Sequence, residues 1–169
     1  MARLSTSLKQ KACPVKLFVS YSHENSVWFS KLRPLLKFRN PSSEVAHVWH
    51  DQQLEAGHRW DDEIKVALNE MNVFVCLVSY EFLASDYIMT VELKEALLRE
   101  EKKEVAIVPI LLYPVNLDND CPELKPFNPL PTWAKCWRDF ETGGGQHQDA
   151  HKLIRDGLWE AIKRVRASS

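Results

Sequence analysis

The spacing of apolar and polar residues along this chain changes several times, and each change marks a predicted element. Residues 73–78 form an unbroken apolar run, Val-Phe-Val-Cys-Leu-Val, rich in β-branched side chains. Such a run suits a parallel strand covered on both faces better than an edge strand. Lys16 to Ser22 reads as an earlier strand leading into a polar loop, and Asn25 to Phe38 carries Val27, Trp28, Leu32, Leu35 and Leu36 at helical spacing. Val45 to Trp49 predicts a second short strand, Asp51 to Arg59 a polar loop containing Gly57, and Trp60 to Asn69 a helix through Trp60, Ile64, Ala67 and Leu68. After the 73–79 strand come a helix over 85–101 and an apolar fourth strand over 104–112, whose length predicts a central or well-covered position. Strands alternating with helices of this length predict an α/β fold built on a parallel, doubly wound sheet.

Beyond Pro114 the pattern loosens. Pro114, Pro122, Pro126, Pro129 and Pro131 each remove a backbone donor, which predicts a long surface excursion. A short fifth strand is expected over Ala134 to Trp137. A glycine-rich loop follows at 142–145, and an amphipathic helix runs through Leu153, Ile154, Leu158, Ile162 and Val165. Residues 1–14 read as a flexible N-terminal segment and 15–167 as one domain, since 169 residues suffice for a single covered sheet and its core.

Charge and cysteine content narrow the function classes. A net charge of −1 gives no global field to favour nucleic acid or an anionic membrane, so neither is an expected partner. Cys13, Cys76, Cys121 and Cys136 form no CxxC pair, and Cys76 sits within the apolar strand, where a reduced thiol packs as a small hydrophobe. A reducing cytoplasm is expected. The first fourteen residues lack an apolar signal core, and the longest apolar run, Val105 to Tyr113, contains Pro109.

The residue that draws most attention is Glu92, on the helix that follows the buried third strand, because open α/β sheets place ligands at their strand-end crevices. Projected at about 100° per residue, Met89, Leu93, Ala96 and Leu97 share one face, with Glu92 at its margin. A solvated flank glutamate therefore competes with a functional one. Trp60 and Tyr87 serve equally as core anchors or as stacking surfaces, and Trp49 reads as core. His147 and His151 lack further ligands in a metal pattern, so no metal is expected. Lys163, Arg164 and Arg166 complement the dipole of the last helix. No GxGxxG follows the first strand, which excludes conventional dinucleotide binding, and no aspartate ends the third, which disfavours phosphotransfer.

Six segments, in this order and spacing, are Leu17-Phe18-Val19-Ser20-Tyr21-Ser22-His23, Val48-Trp49-His50-Asp51, Leu54-Glu55-Ala56-Gly57, Leu77-Val78-Ser79, Ser85-Asp86-Tyr87 with Glu92-Leu93, and Val108-Pro109-Ile110. Together they resemble a bacterial TIR (Toll/interleukin-1 receptor) domain over residues 16 to 166. The resemblance implies a flavodoxin-like sheet of about five parallel strands in the order 2-1-3-4-5, with helices on both faces. It further implies a mobile loop at Asp51 to Arg59, self-association through TIR–TIR contacts involving that loop, and NAD+ cleavage by Glu92. In that order Ser20, Tyr21 and Ser22 end a strand adjacent to the third and are expected to contact ribose or phosphate, while Trp60 and Tyr87 stack on nicotinamide or adenine. Asp51, Gly57 and Asp86, from the matching motifs, complete the expected substrate-binding set. Tyr87 stands where many members carry tryptophan, and the loop Gly57-His58-Arg59-Trp60 is one residue longer than in some.

One carboxylate suffices for such a reaction. Most glycosidases use two because an alkoxide leaving group must be protonated while the sugar cation is stabilised. Nicotinamide is bound to ribose as a cationic pyridinium and departs neutral, which removes the need for a general acid. The expected activity is therefore release of nicotinamide with ADP-ribose or a cyclic isomer, NAD+ being substrate and no cofactor being required. The setting implied is bacterial immune or antiphage signalling, with activation by self-assembly. A non-catalytic TIR scaffold is the alternative, and a nucleoside deoxyribosyltransferase is more distant.

Overall fold

The computed structural model describes residues 14–37, 45–50, 60–142 and 147–168. Four strands, β1 (Val15–Ser20), β2 (Val45–Trp49), β3 (Val73–Val78) and β4 (Ala106–Leu111), form a parallel sheet in the order β2-β1-β3-β4. The predicted α/β architecture and the order of its first four strands are therefore observed. All six residues of β3 are buried, as their uninterrupted apolar character required.

Side-chain alternation divides the core into two layers. Leu17 and Val19 of β1, with Val73, Val75 and Leu77 of β3, face α1 (Ser26–Leu32) and the 21-residue helix α7 (His147–Ala167). Phe18, Phe74, Cys76 and Val78 face α2 (Trp60–Glu70) and α4 (Leu93–Glu101). Each fully buried Phe or Leu contributes roughly 1.5–3 kcal/mol. On α7, Ile154, Leu158, Ala161 and Ile162 supply the buried stripe.

Three expectations are corrected. Ala134 to Trp137 is not a strand, for it leads into the short helix α6 (Trp137–Glu141), and no fifth strand occurs among the described residues. Leu130 alone bridges the outer edge of β4, donating to Pro109 O and accepting from Leu111 N, both at 2.8 Å. Pro129 and Pro131, on either side of it, have no N–H with which to extend the ladder. Among the described strands β4 therefore lies at the edge rather than the centre, but it is well covered, as the other half of the expectation held, with five of its six residues buried, and Pro109 is tolerated because its donorless nitrogen faces away from β3. Finally, the helix expected over Asn25 to Phe38 breaks into a 3-10 turn at His23–Asn25, α1, and a second 3-10 turn at Arg33–Leu36 that contains Pro34. Gly157 on α7 fits closely against the bridging residue, since a Cβ there would lie 2.5 Å from a Leu130 methyl carbon.

Two short helices were not predicted, α3 (Tyr80–Leu83) and α5 (Leu117–Asp120). The first is capped by Ser79, whose hydroxyl accepts the Phe82 N–H at 3.0 Å. The expected helix over 85–101 is present but irregular, with a π-turn at Ile88–Glu92 leading into α4. The predicted N-terminal segment, apart from Pro14, and the loop Asp51 to Arg59 lie outside the described residues.

Candidate functional site

In the order β2-β1-β3-β4 the chain reverses direction across the sheet between β1 and β3, so the ligand crevice of an open α/β sheet falls beyond the C-terminal ends of those two strands. Ser20 is the last residue of β1, in register with Cys76 of β3. Its parity follows Phe18, which turns it toward the α2/α4 face. There its hydroxyl donates to Glu92 Oε2. Glu92 is only 5% exposed and Ser20 only 2%. The structure thus overturns the solvated-flank alternative for Glu92, because its carboxylate is enclosed at the strand-end crevice.

The π-turn explains how a residue at the margin of an apolar helix face comes to be enclosed. Leu93 N–H bonds to Ile88 O, five residues back. In a regular α-helix, residues five apart point about 140° away from one another. In a π-turn they lie one above the other, which sets Ile88 over Leu93 and Tyr87 over Glu92. Ile88, Leu93 and Ala96 are all buried as a result.

Tyr87 is half-buried, and its phenol donates to Asp61 Oδ1 at 3.0 Å. Asp61 lies in the first turn of α2 and pairs through Oδ2 with Lys65 Nζ at 2.5 Å. Burial chiefly, then the hydrogen bond to Asp61 and the charges of Asp61 and Glu92, push the Tyr87 phenol well above its ordinary value. Asp61 is held below the usual carboxylate range, first by Lys65 and then by Tyr87. A second polar contact spans the crevice. Ser79 Oγ, just beyond β3, donates to Asn25 Oδ1 at 2.6 Å, with both residues buried. This ties the β1–α1 connection to the end of β3.

The remaining expected site residues are distributed as follows. Tyr21 has the opposite parity to Ser20 and packs in the α1/α7 layer, its ring stacked on Phe29 at 4.8 Å. Ser22 is half-buried and its carbonyl accepts the Asn25 N–H at 2.8 Å. Asp86 is exposed, and its carbonyl accepts the Thr90 hydroxyl at 2.6 Å. Trp60 opens α2. Asp51 and Gly57 lie outside the described residues. Sequence reasoning missed Asp61, Asn25 and Ser79. Asn25 and Ser79 each follow a strand at the ligand-bearing end of the sheet, which was the available signal, whereas Asp61 carried none.

Burial pushes the Cys76 thiol far above its ordinary value, so it is a packed core group and no thiolate nucleophile. Among the described residues, no group of three or more His, Cys, Asp or Glu is arranged to hold a metal ion, and no helix is long and apolar enough to cross a membrane. Chemically, the crevice offers, among the described residues, an enclosed carboxylate that accepts from a hydroxyl, with Tyr87 one π-turn before it. That arrangement suits stabilisation of a developing cation.

Residues 17–154 match the family model described as TIR domain. An uncharacterized protein of Sinorhizobium fredii (strain NBRC 101917 / NGR234), y4lF, is 31% identical over 96 residues, 57% of this chain and 29% of that protein. The matched part of this chain thus spans under a third of that relative's length. Among solved structures, the TIR domains of the activated Roq1 resistosome directly recognizing the pathogen effector XopQ align with a TM-score of 0.48 and 21% identity, over 92% of this chain and 85% of that one.

Proposed function

We propose that this chain, which belongs to the TIR domain family, is an NAD+ glycohydrolase or cyclase with Glu92 as its catalytic carboxylate. The observation that carries this reading is the enclosure of Glu92 at the switch-point crevice, with its carboxylate held by Ser20. A carboxylate only 5% exposed is costly to folding, and proteins keep such groups where chemistry needs them.

In the proposed reaction the C1′–N bond breaks as nicotinamide leaves with the bonding pair, neutral and unprotonated. The ribosyl oxocarbenium ion that remains faces the carboxylate. At about 4 Å and an effective dielectric near 20 this attraction is worth about 4 kcal/mol, on the order of a thousandfold in rate. Water then gives ADP-ribose, or an adenine nitrogen of the same molecule gives a cyclic isomer. Ser20 acts by fixing the carboxylate. Ser22, Asp86, Tyr87 and Trp60, with Asp51 and Gly57, are the proposed substrate contacts. Tyr21 contributes by packing under the β1 end. NAD+ is the substrate, and no separate cofactor is invoked.

A constitutive NAD+ consumer would poison its host, so activity is proposed to require self-association through the loop Asp51 to Arg59, in cytoplasmic bacterial immune or antiphage signalling. The scaffold reading draws on the outward-facing Val66 of α2 and Leu98 of α4, two exposed apolar side chains on neighbouring helices. The two are separated by incubating the protein with NAD+ over a wide range of protein concentration and following nicotinamide by chromatography. Release that rises more steeply than linearly with protein supports an enzyme activated by assembly. Self-association without nicotinamide release at any concentration sinks the enzyme and leaves the scaffold.

A further inference from the structure

Among the described residues the buried polar side chains are Ser20, Asn25, Ser79 and Glu92, and all four lie at the ligand-bearing end of β1 and β3. Ser20 and Glu92 are taken up by the proposed chemistry. Asn25 and Ser79 bond to each other, and that chemistry uses neither. Parity along β3 sets Ser79 toward the α1/α7 layer, on the other side of the sheet from Ser20. Ser79 also stands three residues past Cys76, the partner of Ser20 in register, which is about 10 Å further along the strand direction. The two polar pairs therefore occupy opposite sides of one crevice. Glu81 joins the second pair, two residues after Ser79 in the first turn of α3, and is half-buried. Its carboxyl is held below the usual carboxylate range first by its own backbone N–H, with Ser79 and then Asn25 adding to the effect, so near neutral pH it is ionised and only accepts hydrogen bonds. Its Oε2 is enclosed yet meets no donor among the described residues. A charged acceptor at the ligand end of an open α/β sheet, with an oxygen left over, is suited to the donors of a ligand.

We propose that Glu81 is a substrate-binding residue that receives the two vicinal hydroxyls of the ribose farther from Glu92, the one that carries adenine. The choice of ligand rests on the reading of this chain as one that acts on NAD+. A cis diol presents two O–H donors side by side, which matches the two oxygens of a carboxylate, and hydrogen bonds to a charged acceptor are the stronger kind. Glu92 on one side of the crevice and Glu81 on the other then hold the two riboses of one dinucleotide. A phosphate on the 2′ oxygen removes one of the two donors and sets like charge against Glu81. The residue therefore selects NAD+ over its 2′-phosphorylated form, NADP+.

Calorimetric titration with ADP-ribose and with its 2′-phosphate reads this preference without any cleavage. The wild type is expected to bind ADP-ribose at least about tenfold more tightly than the phosphorylated form. Glu81→Gln, with a matched urea unfolding curve, brings the two affinities to within about threefold. Glu81→Arg, whose guanidinium suits a phosphate, reverses the order. In the cleavage assay Glu81→Gln raises KM for NAD+ about tenfold with kcat changed less than about threefold, since the group binds at a distance from the bond that breaks. If the binding preference is present and follows Glu81 in a protein that releases no nicotinamide, the diol site stands and the proposed reaction falls. A wild type that binds neither ligand or binds both alike, or a preference that survives in Glu81→Gln and Glu81→Arg, overturns the proposal.

Discussion

Ser20 and Glu92 are each nearly inaccessible, at 2% and 5% exposure, and they meet through a hydroxyl-to-carboxylate hydrogen bond. Removing one partner and removing both therefore have different consequences. Ser20→Ala takes a donor from a buried carboxylate, and hydrogen bonds to charged groups are worth about 1.5–3 kcal/mol. For a chain of this size about 1 kcal/mol shifts Tm by roughly 2–4 °C, so the variant melts about 3–12 °C lower. Glu92→Leu strands the Ser20 hydroxyl, at about 1–3 kcal/mol, but relieves the desolvation of the carboxylate, and the net change is small. Ser20→Ala/Glu92→Leu leaves neither group unsatisfied in a layer built from Phe18, Ile88 and Leu93. Its stability is predicted to equal or exceed that of the wild type by up to about 4 kcal/mol. Urea unfolding followed by circular dichroism measures all four proteins, and the cycle is expected to give a coupling of at least about 1.5 kcal/mol. Effects of the two substitutions that add to within about 0.5 kcal/mol would refute the bond and, with it, the account of how Glu92 is held.

Two further predictions concern the helix and the opposite layer. Thr90 is exposed within the π-turn, and deleting it converts the turn to regular α-helix while leaving Tyr87 and Glu92 four apart and still on one face. The deletion variant is expected to fold with an unchanged far-UV spectrum and to retain nicotinamide release within about tenfold, whereas loss of folding would contradict this view of the π-turn. His151 sits against Trp137 and near His147, Glu141 and Lys31, and burial first, then His147, lowers its pKa below the ordinary 6.5. The unfolded chain then binds the proton more readily than the folded one, so stability is intact above that ordinary value and is lost as pH falls below it toward the folded value. Tm is expected to fall between pH 7.5 and 5.5 by less in His151→Gln than in the wild type, and equal falls would exclude His151 as the cause.

Much of the sheet was legible because its central strand is apolar at every position, a pattern that few other placements satisfy. Val73 to Val78 marked a strand covered on both faces and alternation with helices marked a parallel sheet, whereas the order of the strands came from the family resemblance. Parity along β1 separates Ser20 from Tyr21, since period-two alternation sends neighbours to opposite layers. Treating Ser20, Tyr21 and Ser22 as one lining group overlooked it. The missing fifth strand was written in Pro129 and Pro131, which limit pairing to Leu130. Pro34 likewise marked the break in the first helix. The π-turn had no comparable sign: its residues carry ordinary helical spacing, and Ile88 and Leu93, bonded across it, both enter a core layer shared with strands distant in sequence. The link between Asp61 and Tyr87 joins two helices through a single contact, which one-dimensional periodicity does not record.

The central claim is that the enclosed carboxylate of Glu92 cleaves the nicotinamide-ribosyl bond. Glu92→Gln keeps the size of the side chain and an oxygen to accept from Ser20 while removing the charge, so concentrated wild type and variant are best compared directly, with matched unfolding curves, for nicotinamide released from NAD+. The account predicts release by the wild type and a fall of about a thousandfold or more in the variant, the worth of one charge beside the cation. Equal release by the two proteins would contradict it.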